Sequence, residues 1–220
     1  MAALKWHRIT VGPFAMNAYV LWDEPTRAGI LIDPGDEIDR IAEVVAAHAV
    51  QLQRIVLTHA HLDHVLHCRS AQERFQLPVY LHREDLPLLQ NMGRQAAMLG
   101  FPLGQIPPPQ VAGFLAEGDT LLIGREQLQV RHGPGHSPGS LLLIGEKLAV
   151  VGDVLFRGSI GRTDLPGGSY ETLMKTITEK LLVLEDGVVV LPGHGGETTI
   201  GFERRHNPFL QPGSGLFDIE

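Results

Sequence analysis

Thr58-His59-Ala60-His61-Leu62-Asp63-His64 sets four imidazole or carboxylate side chains, His59, His61, Asp63 and His64, into six residues. The stretch follows Arg54-Ile55-Val56-Leu57-Thr58, a compact apolar run that reads as a buried strand. A tight loop behind a strand lets such neighbours converge on one pocket, where a helix would spread them. In open α/β sheets the C-terminal ends of strands are where sites are built. Imidazole mixed with carboxylate suits Zn²⁺, Fe or Mn²⁺, often with a position left open for water. The competing reading is a solvated loop with incidental histidines.

Three further segments repeat the pattern of an apolar strand flanked by a turn and one donor. Gly133-Pro134-Gly135-His136-Ser137-Pro138-Gly139 precedes an apolar run, and Val150-Val151-Gly152-Asp153 ends one. Leu191-Pro192-Gly193-His194-Gly195 again runs strand, turn, histidine. Each alone reads equally well as a capped turn. Together they bring His136, Asp153 and His194 to strand ends, and a metal explains that better than chance.

Working outward, Ile9 to Val11, Ala18 to Trp22 and Gly29 to Ile32 read as short strands, the last closed by the turn Asp33-Pro34-Gly35. Ile38, Ile41, Val44 and Val45 mark one face of a helix between Asp36 and His48. A helix is expected over Val65 to Phe75, a strand over Val79 to His82, and another helix after it. Gly100 to Gly118 reads as a long connecting loop. Strands follow at 120–123, 128–132, 140–144 and 148–151, with hairpin turns at Gly124 and Gly145-Glu146. Ser169 is the expected N-cap of a helix whose face carries Leu173, Ile177, Leu181 and Leu184. A final strand is read over Val188 to Leu191. The element order suggests two similar β-rich halves with outer helices, within one domain spanning residues 1–220.

At 220 residues and 44% hydrophobic content the chain can bury a large core. A formal charge of −7 argues against nucleic-acid binding, which needs a basic surface. There is no apolar run long enough for a signal peptide or a membrane span, and the single cysteine, Cys68, cannot form an internal disulfide. These features point to the cytoplasm. Cys68, within the expected helix, reads as a core residue.

The His59-x-His61-x-Asp63-His64 motif, followed by His136, Asp153 and His194 in that order, resembles the metallo-β-lactamase superfamily over roughly Ile9 to Phe209. The resemblance implies an α/β fold, a four-layer αβ/βα sandwich with its site in the cleft between two sheet edges. It also implies two divalent ions, Zn or Fe with Mn as an alternative. His59, His61 and His136 would hold one and Asp63, His64 and His194 the other. Asp153 would bridge them, and Asp63 and Asp153 are the carboxylates expected to take part in catalysis. Within the superfamily, the lack of a cysteine at position 153 speaks against a β-lactamase. His61 speaks against the flavodiiron branch, which has Glu there, and the absence of a basic surface speaks against the nucleases.

Gly161-Arg162-Thr163-Asp164-Leu165-Pro166-Gly167-Gly168 and Arg205-His206-Asn207-Pro208-Phe209 look like the short bacterial relatives of glyoxalase II, the hydroxyacylglutathione hydrolases. That likeness implies hydrolysis of a small anionic thioester, S-2-hydroxyacyl glutathione, by a metal-bound hydroxide. The alternatives are an iron-dependent glutathione persulfide dioxygenase and a lactonase or other ester hydrolase. Two departures stand out. Val65-Leu66-His67 replaces the family's usual small pair, so Leu66 is expected to narrow the pocket or displace the next helix. The C-terminal helical domain that contacts glutathione in full-length glyoxalase II has no counterpart, which leaves Arg162, Arg204 and Arg205 as the expected carboxylate anchors.

Overall fold

All eight residues of the strand Met16–Asp23 are buried, which requires cover on both faces of its sheet. In the computed structural model, which describes residues 4–100 and 107–211, that cover comes from a second sheet on one side and helices on the other. The first half runs β1 (Leu4–Val11), β2 (Met16–Asp23), β3 (Ala28–Ile32), α1 (Ile38–Ala47), β4 (Gln51–Val56), α2 (Leu62–Val65), α3 (Cys68–Phe75), β5 (Val79–Leu81), α4 (Leu86–Gln90), α5 (Met92–Met98) and β6 (Val111–Phe114). The second runs β7 (Thr120–Ile123), β8 (Glu126–His132), β9 (Leu141–Ile144), β10 (Leu148–Gly152), β11 (Leu155–Phe156), β12 (Ser159–Ile160), α6 (Tyr170–Thr176), β13 (Val189–Pro192), β14 (Thr198–Thr199) and α7 (Ile200–His206). β1 to β6 form one six-stranded sheet in chain order; the other has the order β14-β13-β10-β9-β8-β7, and β11 pairs with β12.

The two-residue period of the strands sorts side chains between layers. Tyr19, Leu21, Ile30, Ile32 and Val56 meet Leu121, Leu128, Val130, Leu141, Leu143 and Leu191 in a core between the sheets. Ala18, Val20, Trp22 and Leu31, which alternate with the first group, pack outward on Ile41, Leu62, Val65, Ala71 and Ala96 of the helices. Leu142, Ile144, Ala149 and Val151 face the other way, onto Leu173, Ile177 and Ile200. The layers are therefore helix, sheet, sheet, helix, the α/β sandwich that the resemblance implies. Cys68 lies fully buried in the outer core of the first half. No helix among the described residues is long and apolar enough to cross a membrane.

Several expectations need correction. The stretch from Gly100 to Gly118 is not all loop, because β6 adds a parallel edge strand to β5. Its four residues include Gly113, too little apolar pattern to announce a strand; residues 101–106 of that stretch lie outside the described ones. The helix expected over Val65 to Phe75 is two helices, since the His67 backbone N–H donates to the Gly35 carbonyl at 3.0 Å and breaks the run. Leu66 leaves the cleft and packs on the outer core, while His67 turns to Asp36. β13 is not the last strand: β14 and α7 follow, with the Thr199 hydroxyl accepting the Phe202 N–H as the N-cap of α7. Ser169 does cap α6, its hydroxyl accepting the Thr172 N–H at 3.3 Å.

Leu143 is wholly buried between the sheets. Leu143→Ala should lower unfolding stability by about 2–5 kcal/mol, read as a fall in the denaturant midpoint with the slope unchanged.

Candidate metal centre

β3 pairs in parallel with β4, and β10 with β13, so the C-terminal ends of both pairs open on one edge of the sandwich. Asp33 follows β3, the His59–His64 loop follows β4, Asp153 follows β10 and His194 follows β13. His136 arrives from the turn between β8 and β9. All seven residues singled out in the sequence meet here.

Hydrogen bonds on the outer nitrogens assign the tautomers of four histidines. The Thr58 hydroxyl donates to Asp33 Oδ2 (2.6 Å), so its oxygen is left to accept from His59 Nδ1 (3.0 Å). His64 Nδ1 donates to Asp33 Oδ2 (2.9 Å). His136 Nδ1 donates to the Arg162 carbonyl (2.8 Å) and His194 Nδ1 to that of Phe14 (3.2 Å). With Nδ1 protonated in each, all four Nε2 atoms face inward; on His64 and His194 that atom takes a second proton in protein atoms alone, which an ion would replace. Outer-nitrogen bonds of this kind orient metal-binding histidines generally.

Those inward atoms crowd together. His136 Nε2 lies 3.3 Å from His59 Nε2 and 2.8 Å from His61 Nδ1. His194 Nε2 lies 3.0 Å from Asp63 Oδ2 and 3.5 Å from Asp153 Oδ2. His64 Nε2 and Asp153 Oδ1 are 3.4 Å apart, both buried, and neither finds a hydrogen-bond partner. Facing lone pairs repel, and buried polar atoms without partners are costly. A cation among them resolves both problems. Of the four donor groups compact enough for an ion among the described residues, two divide the inward donors, His59 with His61 and His136, and Asp63 with His64 and His194, with Asp153 between them. A third, Asp33 with His59 and His64, shares two of these histidines, and the fourth is His82 with Glu84 and His132.

The proton affinities follow the same logic. Burial, reinforced by His136, pushes His61 down to about 3. Burial with His64 beside it holds His59 well below the ordinary imidazole range. Burial opposes charge on Asp63 and Asp153, yet His64 keeps both carboxyls below their usual range. Burial likewise opposes charge on His64, but Asp63 and Asp153 raise its affinity well above normal. In protein atoms alone, His64 and His194 supply the positive charge that the carboxylates demand. Divalent ions would supply it in their place.

Two residues that sequence reading missed hold this arrangement. Asp33, taken only as part of a turn, has a left-handed backbone (φ 46°) and accepts from Thr58 N, Thr58 Oγ1 and His64 Nδ1. Asp85, fully buried, accepts from Ala60 N (2.8 Å), Ser137 Oγ (2.8 Å) and Gly139 N (2.6 Å). It thereby ties the His59–His64 loop to the His136 turn. The turn glycines are required by space: a Cβ on Gly193 would lie 2.1 Å from Asp153 Oδ1.

A cleft of about 870 Å³ opens over the donors, walled mainly by apolar side chains such as Leu62, Leu88, Phe156 and Leu165. Of the three arginines expected as anchors, only Arg162 borders it. Its guanidinium is already held by both oxygens of Asp164 at 2.8 and 2.7 Å. Arg204 and Arg205 lie away from the cleft, both paired with Asp186, and Arg204 also caps the carbonyls of Leu182 and Leu184. Both sit on α7, where the pairing with Asp186 holds them outside the cleft lining. Arg94, which no motif marked, does line the cleft.

Asp85→Ala would leave two buried backbone donors, Ala60 N and Gly139 N, without an acceptor and remove one partner of Ser137 Oγ. It should cost about 3 kcal/mol or more of unfolding free energy, measured by denaturant titration. Asp33→Ala should weaken metal binding by about 10- to 100-fold, read by competition with a chelator; unaltered affinity would remove Asp33 from the site.

The superfamily model described as metallo-beta-lactamase matches residues 11–194. Hydroxyacylglutathione hydrolase GloC of Haemophilus influenzae is 39% identical over 92% of this chain and 96% of its own. Among solved structures, TTHA1623 in a di-iron-bound form superposes with a TM-score of 0.81 at 40% identity, covering 93% of this chain and 100% of that one. The BLEG-1 B3 metallo-beta-lactamase superposes with a TM-score of 0.87 at 36% identity, covering 94% and 100%. Motif order, sandwich architecture and these matches agree: the chain belongs to the metallo-β-lactamase superfamily and has the His/Asp donor clusters of a metallo-hydrolase.

Proposed function

We propose that the protein is a binuclear thioester hydrolase that cleaves S-2-hydroxyacyl glutathione, such as S-lactoylglutathione, to the hydroxy acid and glutathione. The observation that carries the reading is the set of four inward Nε2 atoms around Asp153, which suits two ions better than one. His59, His61 and His136 would hold the first, Asp63, His64 and His194 the second, and Asp153 would reach both. When bound, divalent ions supply Lewis acidity and bring the pKa of water down to about 7.

The chain's own groups do the rest. Asp153 borders the cleft with Oδ2 3.6 Å from His136 Nε2 and 3.5 Å from His194 Nε2, where it would set the spacing of the two donor groups and orient water held between them. The apolar walls keep further water from the bound acyl group, which strengthens the electrostatics within. Cys68 is no competing nucleophile, because it is buried in the outer core and burial pushes its thiol up. The name of the Haemophilus influenzae relative supports the glutathione thioester as substrate. Iron-dependent persulfide oxidation needs only one facial set of two His and one carboxylate. It would leave Asp63, His64 and His194 without an ion.

Zinc-loaded protein should hydrolyse S-lactoylglutathione under argon, followed by release of free thiol. Asp153→Ala should lose roughly 100-fold or more in turnover and part of its bound metal. The reading fails if the zinc form leaves thioesters intact while an iron form consumes oxygen with glutathione persulfide. It fails equally if a β-lactam such as nitrocefin is cleaved and the thioester is not.

A further inference from the structure

Beyond the metal donors, α5 forms one wall of the cleft. Asn91, Arg94, Gln95 and Met98 all line it, at the spacing of a single helical face. Gln95 locks that helix to the site: its Oε1 accepts the Leu62 N–H at 3.0 Å, and its Nε2 donates to the carbonyls of Ala60 (3.0 Å) and Leu88 (2.9 Å). Ala60 and Leu62 lie within the His59–His64 loop, so α5 cannot slide without moving the donors. Arg94, next to Gln95, is therefore carried at a set position on the cleft wall.

Arg94 and Arg162 are the only guanidiniums among the described residues bordering the cleft. Arg162 is occupied on two sides by Asp164, whose carboxylate would also repel an incoming anion. The Arg94 guanidinium has no hydrogen-bond or ion-pair partner among the described residues and projects from the exposed side of α5. Met98 and Leu99 follow on the same cleft wall, 64% and 50% exposed. On a chain of net charge −7, a free guanidinium on an apolar wall is a local site for an anion with an apolar portion.

We infer that Arg94 receives a carboxylate of the substrate's thiol-bearing part, while Met98 and Leu99 pack against its apolar part. The thioester reading supplies the identity of that molecule, but the contact concerns binding and not turnover, so the two can be tested apart. S-hexylglutathione, a thioether that cannot be hydrolysed, serves as the probe in calorimetry on the metal-loaded protein. The wild type should bind it, Arg94→Ala should bind about 10- to 100-fold more weakly, and Arg94→Lys should fall between. The dimethyl ester of the probe should bind both wild type and Arg94→Ala at the weaker level. A melting temperature equal to wild type keeps the variant's loss a matter of contact.

Equal affinity of wild type and Arg94→Ala for the diacid, loss of affinity in Arg162→Ala in place of Arg94→Ala, or no binding by the wild type would each overturn the inference. If the probe binds through Arg94 and no thioester is hydrolysed, the contact stands and only the proposed reaction falls.

Discussion

Asp33 sits at the end of β3 with its carboxylate wholly inside the protein, and the site is organised around its two oxygens. One accepts the Thr58 backbone N–H at 2.7 Å; the other takes both the Thr58 hydroxyl and His64 Nδ1. Through Thr58 it also decides which nitrogen of His59 is protonated. A buried charge is costly unless fully hydrogen-bonded, so these bonds are held in one geometry. Its left-handed backbone, uncommon outside glycine but tolerated by Asp, turns the chain after β3 so that the carboxylate reaches the end of β4. Two histidines thus present their Nε2 atoms inward because one aspartate fixes their outer edges.

Asp85 does for the junction between loops what Asp33 does for ring orientation. It lies ahead of α4, far in sequence from its partners, and holds backbone atoms of the His59–His64 loop and the His136 turn on one carboxylate. The His61 and His136 rings meet edge to face at 4.5 Å across that junction. His132 adds a further tie, its Nε2 lying 2.7 Å from the Pro138 carbonyl. The first donor group is thereby assembled from separate loops before any ligand arrives.

The donors were legible in the sequence because four lie within six residues and the others each follow an apolar run and a turn. Strands buried on both faces were legible for a similar reason, as short continuous apolar runs. What escaped notice depends on distance. Asp33 and Asp85 look like ordinary turn residues, and their partners lie 25 to 54 positions away. β6 and β14 are too short and too mixed in composition to show a period. The setting of Arg204 and Arg205 is not legible in the sequence because it depends on how α7 docks, where Asp186 pairs with both. Arg94 was missed for the converse reason: its setting is created by Gln95, whose side chain binds a loop some 30 residues earlier.

Each donor group draws on both halves of the molecule, so metal binding and the packing of one sheet on the other are a single problem. His59 and His61 come from the first half and His136 from the second; Asp63 and His64 meet His194 in the same way. The halves are joined at this edge by protein contacts as well. Tyr19 Oη donates to the Pro192 carbonyl at 2.8 Å, the Asn17 backbone N–H to Gly193 O at 2.7 Å, and Leu141 N–H to Thr58 O at 2.8 Å. These bonds seat β2 against the His194 turn and the start of β9 against the end of β4. The donors are consequently preorganised by hydrogen bonds, and an ion entering the site need not first bring the two sheets together. Preorganisation of this kind keeps the cost of rearrangement out of the chemical step, and it falls to buried aspartates and backbone carbonyls that no ligand motif contains.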